Sequence, residues 1–201
     1  MVNSVTLAIT GASGAPYALT LLNELLHHEI TINLLISDAA REVFRIESGI
    51  ELPKDKKEIE LYFMQGISSP KATLKFFHKK DWLSPAASGS NAADAMVICP
   101  CSMGTLSAIS LGSSNNLIER AADVTLKENK QLIILPREMP LSQIHLENML
   151  RLKKMGVTIM PASPGFYQQP KTVQDLVDFV VARILDQLHL PQNLLQPWGV
   201  K

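Results

Sequence analysis

The chain opens with an apolar strand that runs directly into a glycine turn and then a helix, and no other feature narrows its possible folds as much. The stretch is Thr6-Leu-Ala-Ile-Thr-Gly-Ala-Ser-Gly-Ala-Pro16, followed by a helical pattern to Leu26. Such a junction aims several backbone N–H groups out of a helix start, where the macrodipole is positive. Gly11 and Gly14 remove the Cβ atoms that would hold an anion away from the backbone, and Ser13 adds a hydroxyl. A phosphorylated ligand, most often a nucleotide, suits this loop. The other reading is a tight turn that needs glycine for geometry alone. The spacing departs from G-x-G-x-x-G at Ser13 and Tyr17. It lacks the Gly-Lys-Ser/Thr of a Walker loop, and its second glycine falls one position early for G-x-S-x-G.

The rest of the chain alternates strand and helix. Apolar runs predict strands over 4–10, 31–36, 73–77, 95–99, 131–135 and 157–160. Helical periodicity predicts helices over 15–28, 38–48, 56–65, 102–111, 116–128, 142–155 and 172–188. Strands such as Ala95-Met-Val-Ile-Cys99 have no polar alternation, as expected of a parallel sheet covered on both faces. An α/β protein with a single domain follows, because 201 residues supply one substantial core and no break suggests a second. A formal charge of zero favours neither nucleic acid nor an acidic membrane surface. No apolar run approaches spanning length and no signal-like segment opens the chain, so a soluble protein is expected. Cys99 and Cys101 flank Pro100, are poorly spaced to bridge each other and have no second pair for zinc. They read as reduced thiols in the cytoplasm.

In such a sheet, ligands gather at the carboxyl ends of the strands. The loops there carry Gly11-Ala-Ser-Gly14, Ser37-Asp-Ala-Ala40, Pro100-Cys-Ser-Met-Gly-Thr105, Pro136-Arg-Glu-Met-Pro140 and Pro161-Ala-Ser-Pro-Gly-Phe-Tyr167. Hydroxyls, amides and one arginine suit a phosphate and a polar heteroaromatic ring better than a metal. The chain has no Asp-Asp-x-x-Asp, no His-Glu-x-x-His and no Cys-x-x-Cys. A leaving phosphate would therefore be neutralised by arginine and lysine.

These residues carry a resemblance along nearly the whole chain. Thr10-Gly-Ala-Ser-Gly-Ala15, Ala87-Ser-Gly-Ser90, Val97-Ile-Cys-Pro-Cys-Ser-Met-Gly-Thr-Leu-Ser107 and Asn116-Leu-Ile-Glu-Arg-Ala-Ala-Asp-Val-Thr-Leu-Lys-Glu128 occur in order. Leu135-Pro-Arg-Glu-Met-Pro140, His145-Leu-Glu-Asn-Met-Leu150, Pro164-Gly-Phe-Tyr-Gln-Gln-Pro170 and Asp175-Leu-Val-Asp178 complete the set. The chain resembles the UbiX-type flavin prenyltransferases. That resemblance implies a flavodoxin-like (Rossmann-like) fold over 1–190, with a tail over 191–201 that contributes to the active site. It implies reduced FMN as prenyl acceptor, dimethylallyl monophosphate as donor, and no metal. The product, prenylated FMN, would pass to a UbiD-type decarboxylase, commonly for ubiquinone biosynthesis. The implied assembly is a homo-dodecamer.

Carried over residue by residue, the FMN positions fall on Gly11, Ala12, Ser13, Ser37, Ser102, Met103, Gly104, Thr105 and Arg137. Met103 would touch the flavin through its backbone and thioether. The donor phosphate would be held by Lys127, Tyr167 and Arg183, with Arg120 close by. Glu138 would transfer protons, with Ser13 near flavin N5, Glu47 near flavin and donor, and Trp198 presenting a π face to an allylic cation. Read as ordinary surface chemistry, Arg183 and Lys127 are solvated cations, Tyr167 caps a helix, and Glu138 pairs with a neighbouring arginine. His27 and His28 suit a helix C-terminus, and His145 reads as structural.

Alternatives of the same fold are a flavin-dependent cysteine decarboxylase and a non-catalytic FMN carrier. The decarboxylases would show Pro-Ala-Ser-Ala-Asn-Thr where Pro100-Cys-Ser-Met-Gly-Thr105 stands. A nicotinamide dehydrogenase, suggested by Asp38 after the second strand, fails on glycine spacing.

Overall fold

Six parallel strands form the sheet of this computed structural model, which describes residues 2–67, 69–196 and 199. The strands are β1 (Ser4–Ile9), β2 (Thr31–Ile36), β3 (Thr73–Phe77), β4 (Ala95–Cys101), β5 (Gln131–Pro136) and β6 (Thr158–Ile159). Their spatial order is β3-β2-β1-β4-β5-β6. The chain thus winds outward from β1 in one direction, returns to β4 and winds out in the other. The crevice between β1 and β4 is the topological switch point where ligands of such sheets bind. This is the single-domain, flavodoxin-like (Rossmann-like) α/β fold expected from the alternating pattern.

The sheet separates two cores. Val5, Leu7 and Ile9 of β1 face α1 (Ala15–Leu26), α2 (Asp38–Ser48), α3 (Lys56–Met64) and α7 (Val173–Gln187). Ala8 faces the other way, toward α4 (Met103–Ser110), α5 (Leu117–Lys127) and α6 (Gln143–Lys154). Alternation along each strand thus fills both layers, which is why the strands are apolar throughout.

The helices begin where their sequences cap them. Ser37, Asp55, Ser102, Asn116, Ser142 and Thr172 each accept an N–H from the first turn of their helix. His145 closes a capping box with Ser142, in keeping with the structural role read for it. At the sheet edge, the Glu60 carboxylate accepts the N–H of Phe76 at 2.7 Å, closing one donor of β3.

Three details differ from expectation. Strand β4 continues past 99 to Cys101, with its register to β5 shifted between Ile98 and Cys101. Pro100 has no N–H to give the ladder, so pairing resumes only at Cys101 opposite Pro136. Strand β6 is two residues long instead of four. At the end of α1, the ring Nδ1 of His27 lies 2.8 Å from the carbonyl of Asn23. Burial lowers the pKa of His28, so this ring favours its neutral form over the charged form that suits a helix end.

Phe44 is fully buried under α2, whereas Ile46 on the same helix is 71% exposed. Phe44→Ala should cost about 3–5 kcal/mol of stability and Ile46→Ala less than about 0.5 kcal/mol. Thermal or urea melts of the two variants decide this; equal losses would show that α2 is not anchored through Phe44.

Candidate functional site

The β1–α1 loop lies against two neighbouring loops at the switch point. A Cβ on Gly11 would meet the Cβ of Ala39 at 2.4 Å, so glycine is what lets this loop touch the start of α2. Gly14 takes φ 131°, a conformation that side chains disfavour. On the other side, Thr10 binds the end of β4. Its N–H donates to the carbonyl of Pro100 at 3.2 Å, and its hydroxyl accepts the N–H of Ser102 at 2.8 Å.

The start of α1 is already filled. The Glu47 carboxylate accepts the N–H groups of Gly14 and Ala15, each at 2.9 Å, and a hydrogen bond from the Ser13 side chain. The expected phosphate position at this helix start is therefore taken by a carboxylate of the chain itself. Among the described residues, no hydrogen bond engages the N–H groups of Gly11, Ala12 or Ser13. The open helix starts are those of α2, capped by Ser37, and α4, capped by Ser102. Gly104 is exposed in the first turn of α4, and a Cβ there would meet nothing within 4 Å. An anion and a flat ring fit this edge: amides at the bottom, two positive helix ends beside them and open space over Gly104.

Arg137 closes the site from β5. Its Nε donates to the carbonyl of Ser13 at 3.2 Å, and its charge acts on Glu47. Partial burial raises the pKa of Glu47, but the Ser13 hydroxyl, the Gly14 and Ala15 amides and Arg137 together lower it below the usual carboxylate range. Glu138 is exposed beside Arg137 and accepts the N–H of Met139 at 3.1 Å. Among the described residues no arginine forms an ion pair with it. Met103, at the start of α4, is buried in the same core cluster as Leu106 and Ile109.

The residues expected at a donor phosphate are not brought together in one chain. Lys127 ends α5, where it pairs with Glu128; a Cβ on Gly89 would meet Lys127 Nζ at 2.7 Å. Arg120, also on α5, donates to the carbonyl of Ala87 at 3.1 Å and to Asp123 at 2.8 Å. Arg183 lies on α7, on the opposite face of the sheet, paired with Asp186 at 2.7 Å. Tyr167 stacks edge-on against Phe179, one turn before Arg183, with ring centroids 5.5 Å apart. Trp198 lies outside the described residues. The described part of the tail reaches the Tyr167 loop, where the Gln168 side chain donates to the carbonyl of Gln196 at 3.2 Å.

Sequence reasoning missed the supporting roles of Thr10, Ala39 and Gly89. A threonine closing an apolar strand just before glycine was the available signal for Thr10; Ala39 and Gly89 lay in the marked stretches 37–40 and 87–90, but nothing there told what each would touch. Cys99 and Cys101 are free, fully buried, and raised in pKa by that burial. Among the described residues no group of three or more His, Cys, Asp or Glu side chains could hold a metal ion. Among the described residues no helix is long and apolar enough to cross a membrane.

Comparison with known proteins matches this geometry to a family. The family model described as "Flavoprotein" matches residues 2–185. The flavin prenyltransferase UbiX of Pseudomonas aeruginosa is 52% identical over 195 residues, covering 97% of this chain and 93% of that protein. A crystal structure of AnUbiX in complex with FMN and dimethylallyl pyrophosphate superposes with a TM-score of 0.88 at 33% identity, covering 100% of both chains. A dodecameric FMN-dependent Ubix-like decarboxylase from Escherichia coli superposes with a TM-score of 0.84 at 38% identity, covering 98% of this chain and 100% of that one.

The lowered pKa of Glu47 makes its contribution to stability depend on pH. The folded value lies below the unfolded one, so the stabilisation is full above the ordinary carboxylate range of about 4 and disappears as pH falls through the depressed value. At pH 7 Glu47→Gln should melt below the parent protein, and the two should converge on acidification. A gap in melting temperature that persists at pH 3 would remove the charge of Glu47 from the account.

Proposed function

The chain belongs to the flavoprotein family, among its flavin prenyltransferases, and on that basis we propose that it joins the dimethylallyl group of dimethylallyl monophosphate to N5 and C6 of reduced FMN. The observation that carries this reading is the meeting of Gly11–Ser13, the starts of α2 and α4, and Arg137 at the switch point. Reduced FMN is the acceptor substrate and supplies the nucleophilic ring atoms; phosphate leaves from the donor. Gly11, Ala12, Ser13, Ser37, Ser102, Met103, Gly104, Thr105 and Arg137 hold the flavin nucleotide. The Arg137 bond to the Ser13 carbonyl and the Glu47 bonds to the next two amides fix Ser13, whose hydroxyl orients the proton at the reacting nitrogen.

Glu138 moves protons on the solvent side of Arg137, giving one to the departing phosphate and accepting one from the alkylated ring. Lys127, Arg120, Arg183 and Tyr167 neutralise the phosphate. Because α5 and α7 cover opposite faces of the sheet, these groups can converge only when copies of the chain meet. We therefore assign a homo-oligomer, a dodecamer like the Escherichia coli neighbour, with donor sites built between copies. The tail 191–201 joins that site beside the Tyr167 loop, with Trp198 facing the allylic cation. Two free thiols support a cytoplasmic setting. The product serves a UbiD-type decarboxylase, in ubiquinone biosynthesis.

Anaerobic incubation with reduced FMN and dimethylallyl phosphate, followed by mass spectrometry of the flavin, tests the reaction. One prenyl group should be gained, and equally so after exhaustive chelation, because arginine and lysine hold the phosphate. FMN that binds without gaining mass would refute the proposal. In the same assay Glu138→Gln should bind FMN normally and react about a hundredfold more slowly. An unchanged rate would transfer the proton step to another group.

A further inference from the structure

Thr10 is not itself among the expected FMN positions, yet it is 1% exposed and joins the two loops that flank the switch point. Its hydroxyl donates to the carbonyl of Pro100 at 3.0 Å and accepts the N–H of Ser102 at 2.8 Å, while its own N–H reaches the same carbonyl at 3.2 Å. A hydroxyl is the smallest side-chain group that both donates and accepts, and here both capacities are used in a buried setting. Ser102 in turn caps α4, its hydroxyl donating to Thr105 Oγ1 at 3.1 Å and accepting the N–H of Thr105 at 3.4 Å.

This arrangement determines which amides of α4 a ligand can reach. The Ser102 N–H is occupied by Thr10 and the Thr105 N–H by the Ser102 hydroxyl. The first-turn amides of Met103 and Gly104 remain, under the open space above Gly104. Gly11, the next residue, rests against Ala39 and so fixes the same loop relative to α2. Thr10 and Gly11 thus hold three loops in register with one another.

We propose that Thr10 is the positioning residue of the flavin site. Its hydroxyl sets the height of the α4 start against the Gly11–Ser13 loop, and through that spacing it controls how tightly FMN is held. The proposal rests on the FMN-binding reading above. Replacing the hydroxyl by a methyl would leave the half-buried Ser102 N–H without its acceptor and release one constraint on the α4 start.

The test compares Thr10→Val and Thr10→Ser with the parent protein by FMN titration, the absorption band shape of bound FMN, and melting temperature without flavin. Thr10→Val should bind FMN about tenfold more weakly with an altered band shape. Thr10→Ser should stay within about twofold of the parent and keep its spectrum. Should Thr10→Val not accumulate as folded protein, Thr10→Cys, of similar volume but a poor acceptor, should show the same weakening. A purely structural role would lower the melting temperature in Thr10→Val with FMN affinity and spectrum unchanged, and would overturn the proposal. Equal losses in Thr10→Ser and Thr10→Val would overturn it as well, as would a parent chain that binds no FMN. A parent chain that binds FMN but transfers no prenyl group would refute the proposed reaction and leave the role of Thr10 standing.

Discussion

The carboxylate of Glu47 on the first amides of α1 is the interaction around which the site is organised. The other helices that start at this edge are capped by their own Ser or Thr, but Gly14 has no side chain to cap α1. The acceptor arrives instead from α2, thirty-three residues along the chain from Gly14. Orphan donors at a helix start must be satisfied, and an anion does so best where the dipole is positive. With that anion built in, α1 is closed to a ligand and the glycine loop is held from both sides, by Glu47 and by Arg137 through the Ser13 carbonyl. The loop is therefore shaped before any flavin arrives, which lowers the ordering cost of binding.

The same economy of anions runs through the cationic residues. Arg120, Lys127 and Arg183 each pair with a carboxylate of their own helix or its first flanking residue. Such half-exposed pairs are weak, worth at most about 1 kcal/mol, so a phosphate dianion can displace them. Their placement matters more than their pairing. Two lie on α5 and one on α7, with the sheet between them. A site that needs all three needs more than one chain, which gives a chemical reason for assembly beyond the burial of apolar surface. The exposed side chains of Met139, Ile144 and Leu150 are consistent with such contacts.

Most of the fold was legible because the strands and helices announce themselves locally. The helix starts at Ser37, Ser102, Ser142 and Thr172 are caps within a few residues of what they cap, and they fell where expected. The irregular end of β4 was not legible, since it follows from the partner that Pro100 lacks in a neighbouring strand. That Met103 joins the core beneath α4 was not legible either, because one turn of helix decides which face a side chain takes. The burial of His28, which lowers the pKa of its ring, was not legible because burial is a property of the packed chain.

By itself the sequence determined the alternation of elements, the two-sided burial of the strands and the chemical character of the loops at one sheet edge. All of these depend on residues within a few positions of each other. Only the tertiary structure decided that Glu47 fills the start of α1, that Thr10 ties β1 to the α4 cap, and that Gly11 is required by Ala39. It alone also decided that the cations expected at the donor phosphate lie on opposite faces of the sheet. Each of these turns on contacts between residues tens of positions apart, and such distances are set by how layers pack around a shared core, which no local pattern encodes.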